Sequence, residues 1–232
     1  MTSLDSPVRT ASPAASWSVA ARVAGALTLT LSGLLWAVAD LIEPDLNGAD
    51  SLTWTAAHPG PAGIAITADM LATPCLLGAT AVWLLLSRRR SPRLAWAGAV
   101  LLVLGLTGQA MIMGVGLVGY MVARSGEIDP AVFSAVVGDG PDPSLPGTVF
   151  MAMFFVGAFV GIVVMMVAVW RSRALPRAAA ALLVAFQLTE LVNPPFPSTL
   201  IAAAGLVWMA VALLRTPVAE SIDGRGGVME RR

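Results

Sequence analysis

The sequence predicts an all-α, polytopic membrane bundle of about six membrane-spanning helices, with both termini in the cytoplasm. Three observations carry that prediction. The chain is 57% hydrophobic and only 12% charged, whereas soluble domains carry roughly 25% charged residues to wet their surface. Apolar runs long enough to cross a hydrocarbon core of about 30 Å recur along it. The arginines between these runs cluster at alternate connections.

The first candidate span covers 23–42, follows Arg9 and Arg22, and stops at Glu43-Pro44. Ala37-Val38-Ala39 also fits a small-residue cleavage site after an apolar run. The preceding segment is long enough to span and is flanked as a span, so a retained helix is expected. The second span covers 62–86 and halts at Arg88-Arg89-Arg90; the third covers 94–122 and the fourth 148–170.

No basic residue falls between Arg177 and Arg215, and a single helix over that interval would run roughly 55 Å at about 1.5 Å per residue. That is too long for one crossing. Pro194, Pro195 and Pro197 interrupt it, removing backbone donors and disfavouring helical geometry in the residues before them. A hairpin of two short helices, 177–193 and 198–214, is therefore expected.

Outside the spans, 1–16 and 216–232 are polar or rich in Ser, Ala, Pro and Gly, the composition of disordered tails. The loop 124–147 holds Asp129-Pro130, an N-cap followed by proline at the first helical position. Val132, Phe133, Val136 and Val137 then make an apolar face that Gly138 can end, which predicts a short helix on the outer membrane surface.

Cytoplasmic loops carry the excess of basic residues. With an even number of spans, Arg9, Arg22, Arg88, Arg89, Arg90, Arg93, Arg171, Arg173, Arg177, Arg215, Arg225, Arg231 and Arg232 all fall on one side, and only Arg124 lies opposite. An odd number would place the C-terminal arginines outside. All basic residues are arginine, and Ala, Gly, Val and Leu abound, which suggests a G+C-rich bacterial genome and hence the bacterial cytoplasmic (inner) membrane.

Several chemistries are excluded or unsupported. The net charge is zero, so bulk charge recruits no nucleic acid. Cys75 is the single cysteine and His58 the single histidine, which removes thiol pairs, multi-cysteine metal sites and bis-histidine haem. There is no HExxH, GxSxG or GxxxxGK[ST] motif, so the hydrolase and phosphate-binding signatures are missing. No catalytic residue, cofactor or metal site is assigned. The Asp139-Gly140-Pro141-Asp142 loop lacks the alternation of a calcium site. Met111, Met113, Met121, Met151, Met153, Met165 and Met166 could bind cuprous ion, but methionine is an ordinary filler of apolar packing.

Polar groups inside hydrocarbon are the remaining pointers, since a central Asp costs about 2.5–3.5 kcal/mol on insertion scales. Asp69 is the clearest: Ala62, Ala65, Ala72 and Thr73 share its face at helical spacing, so another helix can approach it closely. Gln109 lies mid-way along the third span, Glu190 near the outer end of the fifth and Asp40 near the outer end of the first. Together they suggest an outward-facing polar pocket for a solute or ion. The plainer reading is that Asp69 and Gln109 bond to neighbouring helices while Asp40, Glu43 and Glu190 sit in the wet interface. Gly157 and Gly161 form a GxxxG pair suited to helix packing, within the bundle or between protomers.

As a pattern over 17–215, the chain resembles the small, uncharacterised six-helix integral membrane proteins of G+C-rich bacteria. The features that carry the resemblance are the Arg-flanked first helix ending in Asp40-Leu41-Ile42-Glu43-Pro44, the acidic outer loop, and the closing hairpin around Asn193-Pro194-Pro195. The resemblance implies the bundle and supplies no activity. The leading functional expectation is a non-catalytic membrane subunit or scaffold, held in the lipid bilayer and packing against itself or another membrane protein. The alternative is a small proton- or cation-linked transporter or solute-binding protein built around Asp69.

Overall fold

The structure is a computed structural model describing residues 17–44, 46, 48–137, 145–192 and 196–216. The expectations for 1–16, Gly138, the Asp139–Asp142 loop, Asn193-Pro194-Pro195 and the tail beyond Thr216 fall outside the described residues. Among the described residues the fold is all-helical, and four helices are long and apolar enough to cross a membrane: Val19–Ile42, Pro59–Ser87, Pro92–Ser125 and Gly147–Ser172.

Local chemistry places the helix ends. α1 (Val19–Ile42) begins four residues before the apolar run because the Ser18 side chain accepts the Ala21 N–H at 3.2 Å. Arg22, expected to flank this helix, lies inside it and is buried; its guanidinium donates to the Thr216 carbonyl. α2 (Gly48–Ala57) is a short helix between the first two expected spans, where no element was expected. α3 (Pro59–Ser87) starts on a proline and runs through Pro74. α4 (Pro92–Ser125) also starts on a proline and ends at Gly126, whose φ of +67° is the left-handed cap that glycine adopts most readily.

α5 (Pro130–Val137) follows Asp129, whose Oδ1 accepts the Ala131 N–H at 2.8 Å. α6 (Leu145–Phe154) continues through a π-helical turn, Phe155–Val160, into α7 (Gly161–Ser172). α8 (Arg177–Glu190) and α9 (Thr199–Arg215) complete the chain.

The long elements pack as a closed ring, in the order α1, α3, α4, α7, α8, α9 and back to α1. One end of the ring carries Arg88, Arg89, Arg90, Arg171 and Arg215; the other carries α2 and α5. Toward the arginine end the centre is filled, with Leu29, Trp83, Leu86, Met165, Met209 and Leu213 in one cluster. Trp83 Nε1 donates to the Met209 sulfur at 3.3 Å, and the Arg177 guanidinium lies 5.7 Å from the Trp170 ring centroid.

Lipid tails are as apolar as leucine, so close packing has to supply the helix–helix attraction. Small residues make it possible. A Cβ built on Gly33 would lie 2.9 Å from the Ala203 Cα, and one on Gly98 would lie 2.8 Å from the Met165 nitrogen. The tightest crossing joins α4 to the π-helical turn, where Gly105 and Gly157 meet backbone to backbone. Gly161, one turn on, faces the Leu102 nitrogen. Both glycines of the GxxxG pair are thus covered by α4 of the same chain.

Candidate functional site

Asp69 sits on the stripe of α3 that faces the ring interior. Ala62, Ala65, Ala72 and Leu76 share that stripe and are buried. The side chain is partly exposed as a whole, yet its Oδ1 is buried with no hydrogen-bond partner among the described residues. Such an orphan is expensive: an unsatisfied buried polar atom costs about 1–3 kcal/mol, and more when charged. Native structures keep few of them, and each asks for a reason.

The carboxylate lies in the wall of a cavity of about 790 Å³, within the roughly 300–1,000 Å³ range of small-molecule sites. α3, α4 and α6 form its sides. α2 and α5 close over it, and Leu52 and Phe133 converge above Gly119, where a Cβ would lie 3.2 Å and 3.4 Å from them. Tyr120 ties the end of α4 to the first turn of α3 by donating to the Pro59 carbonyl at 3.2 Å. Trp54 stacks on His58 at the end of α2 with centroids 5.2 Å apart, and His58 Nδ1 lies 3.1 Å from the Trp54 carbonyl. That contact settles the histidine locally.

Of the four polar residues expected to share a pocket, Asp69 alone lines this cavity. Asp40 and Glu190 lie at the beginning of α9 instead. The Thr199 hydroxyl donates to Asp40 Oδ2 at 2.5 Å, and the Ser198 hydroxyl donates to Glu190 Oε1. Carboxylates are also favoured there by the positive end of the helix dipole. These two acids therefore fasten α1 and α8 to α9. Gln109 is buried on α4, 4% exposed, ahead of Met111, the first residue of α4 in the lining.

The second acid in the wall is Glu43, at the end of α1. Glu43 is exposed as a residue, and the partial desolvation of its carboxyl against the wall raises it above the ordinary carboxylate value. Glu43 and Asp40 are both close enough for their charges to act on Asp69. Sequence reasoning placed Glu43 in the membrane interface, and nothing in its spacing pointed to a cavity. Met111, Met113 and Met151 also face the cavity, whereas Met165 and Met166 are core and Met121 is exposed. The methionines are divided between separate environments. Among the described residues, no three His, Cys, Asp or Glu side chains are grouped to hold a metal ion.

No protein-family model, curated protein or solved structure matches the chain. The functional reading rests on the geometry above.

Proposed function

We propose that this chain is a multi-pass protein of the bacterial cytoplasmic membrane that binds a small solute in an outward-facing pocket anchored on Asp69, as a solute-binding protein or a small proton- or cation-linked transporter. The single observation that carries the proposal is the buried, unpartnered Oδ1 of Asp69 in the wall of a large cavity. An ionisable group inside a membrane span is costly and is by default a candidate for a substrate or ion path. The contrast within the chain supports this reading. Asp40 and Glu190 each meet a hydroxyl; the Asp69 oxygen is left for something else.

In the proposed topology α1, α3, α4, the α6–α7 helix, α8 and α9 all cross, with the arginine end in the cytoplasm. α8 and α9 would be about 21 Å and 26 Å long at about 1.5 Å per residue, a short hairpin that local thinning of the bilayer accommodates. Gly157 and Gly161 pack against α4 of the same chain, so a scaffold would have to meet its partner through another surface.

A thermal-stability screen of the purified protein in nanodiscs tests the proposal, varying pH, sodium, divalent metals and small metabolites. A ligand that binds only the folded state adds about 2.7 kcal/mol at a hundredfold excess over its dissociation constant. A stabilisation present in the wild type and lost in Asp69→Asn is the expected result. Identical flat profiles for both proteins would overturn it.

A further inference from the structure

The wall of the cavity has a chemistry of its own. Among the described residues it carries two carboxylates, Asp69 and Glu43, and no Arg, Lys or His. Two of its hydroxyls present acceptors more than donors. The Tyr120 O–H is committed to the Pro59 carbonyl, and the Ser134 O–H to the Ala131 carbonyl at 3.3 Å. What these oxygens have left for an occupant is lone pairs. An anion would meet the two carboxylates here, with no fixed positive charge among the described lining residues to offset them. The polar part of the wall is built for a cation or a strong hydrogen-bond donor.

The remainder of the wall sets the shape of the occupant. Ile66, Met111, Met113, Phe133 and Phe150 are among its other lining residues. Aromatic faces attract cations through the ring quadrupole, by about 0.5–2 kcal/mol according to how far water is excluded. Methionine side chains adapt to varied apolar shapes. An inorganic ion would need several oxygen ligands at short range, and among the described residues no three His, Cys, Asp or Glu side chains are grouped to supply them. The volume of about 790 Å³ is also far larger than a bare ion requires. An apolar body with one positive centre fits both parts of the wall.

Resting on the pocket reading above, we infer that the occupant is an amphiphilic organic cation: one ammonium- or phosphonium-type centre, paired with Asp69, carried on an apolar body that fills the space between α3, α4 and α6. Glu43 adds a second negative charge at the end of α1 and favours entry of the cation from that side.

Two nearly isosteric ions of opposite charge make the test. Equilibrium dialysis of the full chain in zwitterionic nanodiscs, with empty nanodiscs subtracted, measures binding of tetraphenylphosphonium, tetraphenylborate and neutral triphenylmethanol. Wild type should bind the phosphonium saturably and the borate not at all. Asp69→Asn should weaken phosphonium binding by about tenfold or more, which corresponds to about 1.4 kcal/mol per factor of ten. Asp69→Glu keeps the charge and should restore most of the affinity, which guards against a variant that merely misfolds. Triphenylmethanol or borate binding as tightly as the phosphonium, or phosphonium binding indifferent to Asp69→Asn, would overturn the cation inference and leave a pocket of different selectivity. Saturable binding of none of the three would overturn the pocket reading itself.

Discussion

Three carboxylates near the α2–α5 end differ in what surrounds them, and that difference separates two acids that fasten helices from the one proposed to bind a ligand. Asp40 accepts from Thr199 at 2.5 Å and Glu190 from Ser198, whereas the Asp69 Oδ1 accepts from no protein group described. Thr199→Val should accordingly destabilise the protein by on the order of 1 kcal/mol, leaving solute binding intact; thermal unfolding read beside a binding assay checks both halves. Glu43 gives a pH prediction. Its carboxyl, on an exposed residue, is raised by partial desolvation from the ordinary 4.5, so the folded chain holds that proton somewhat more tightly than the unfolded chain, an effect that solvent screening keeps small. Stability is then greatest below the ordinary value and declines as pH rises through the raised one. Between about pH 4 and pH 7, wild type should lose more apparent stability than Glu43→Gln; equal losses would count against the assignment. Asp69 was legible in the sequence because a carboxylate inside an apolar run carries a cost that can be seen without a structure. Its grouping with Gln109, Glu190 and Asp40 was not, because position along a helix gives depth but not which neighbour the side chain meets.

At the scale of elements, the long apolar runs announced themselves and their ends were set by capping that periodicity does not weigh. Ser18 moves the start of α1 outward, and Pro59 and Pro92 start α3 and α4 ahead of their apolar runs. α2 was the element missed. Its Gly48-Ala49-Asp50-Ser51 opening reads as loop, and its packing over α4 comes from Leu52 against Gly119, a contact between distant parts of the chain. The crossing of α4 with the π-helical turn was half visible: Gly157 and Gly161 form a recognisable pair, but their partner Gly105 carries no signal alone. π-helical turns inside α-helices recur at functional sites, and this one directly follows α6, a wall of the cavity. Gly105→Ala or Gly157→Ala drives a methyl into facing backbone and should cost about 1–3 kcal/mol or more. Gly114→Ala, with open space around it, should be neutral or slightly stabilising. Thermal unfolding of the three variants distinguishes a real crossing from an incidental approach.

For the whole molecule, the ring of six packed helices is tight toward the arginine end and open under α2 and α5. In the proposed topology the filled, arginine-rich end faces the cytoplasm and the cavity opens to the outside. Cys75 is the sole cysteine, so Cys75→Ser provides a clean background for mapping sides. In that background a membrane-impermeant maleimide applied to intact cells should label Ile128→Cys and spare Arg89→Cys; the reverse pattern would invert the topology and turn the cavity inward. The closure of the ring was not legible in the sequence, because spans and orientation fix the number of crossings but leave the order of neighbours open.

The central claim is that Asp69 is kept for a ligand and contributes no stabilising bond to the bundle. Its most direct test is the unfolding temperature of the ligand-free protein, wild type beside Asp69→Asn, in the same nanodiscs. Removing an unpartnered buried charge should leave the variant as stable as wild type or more so. A variant destabilised by several kcal/mol, the size seen when a buried charged pair is broken, would show that Asp69 has a structural partner and would contradict the claim.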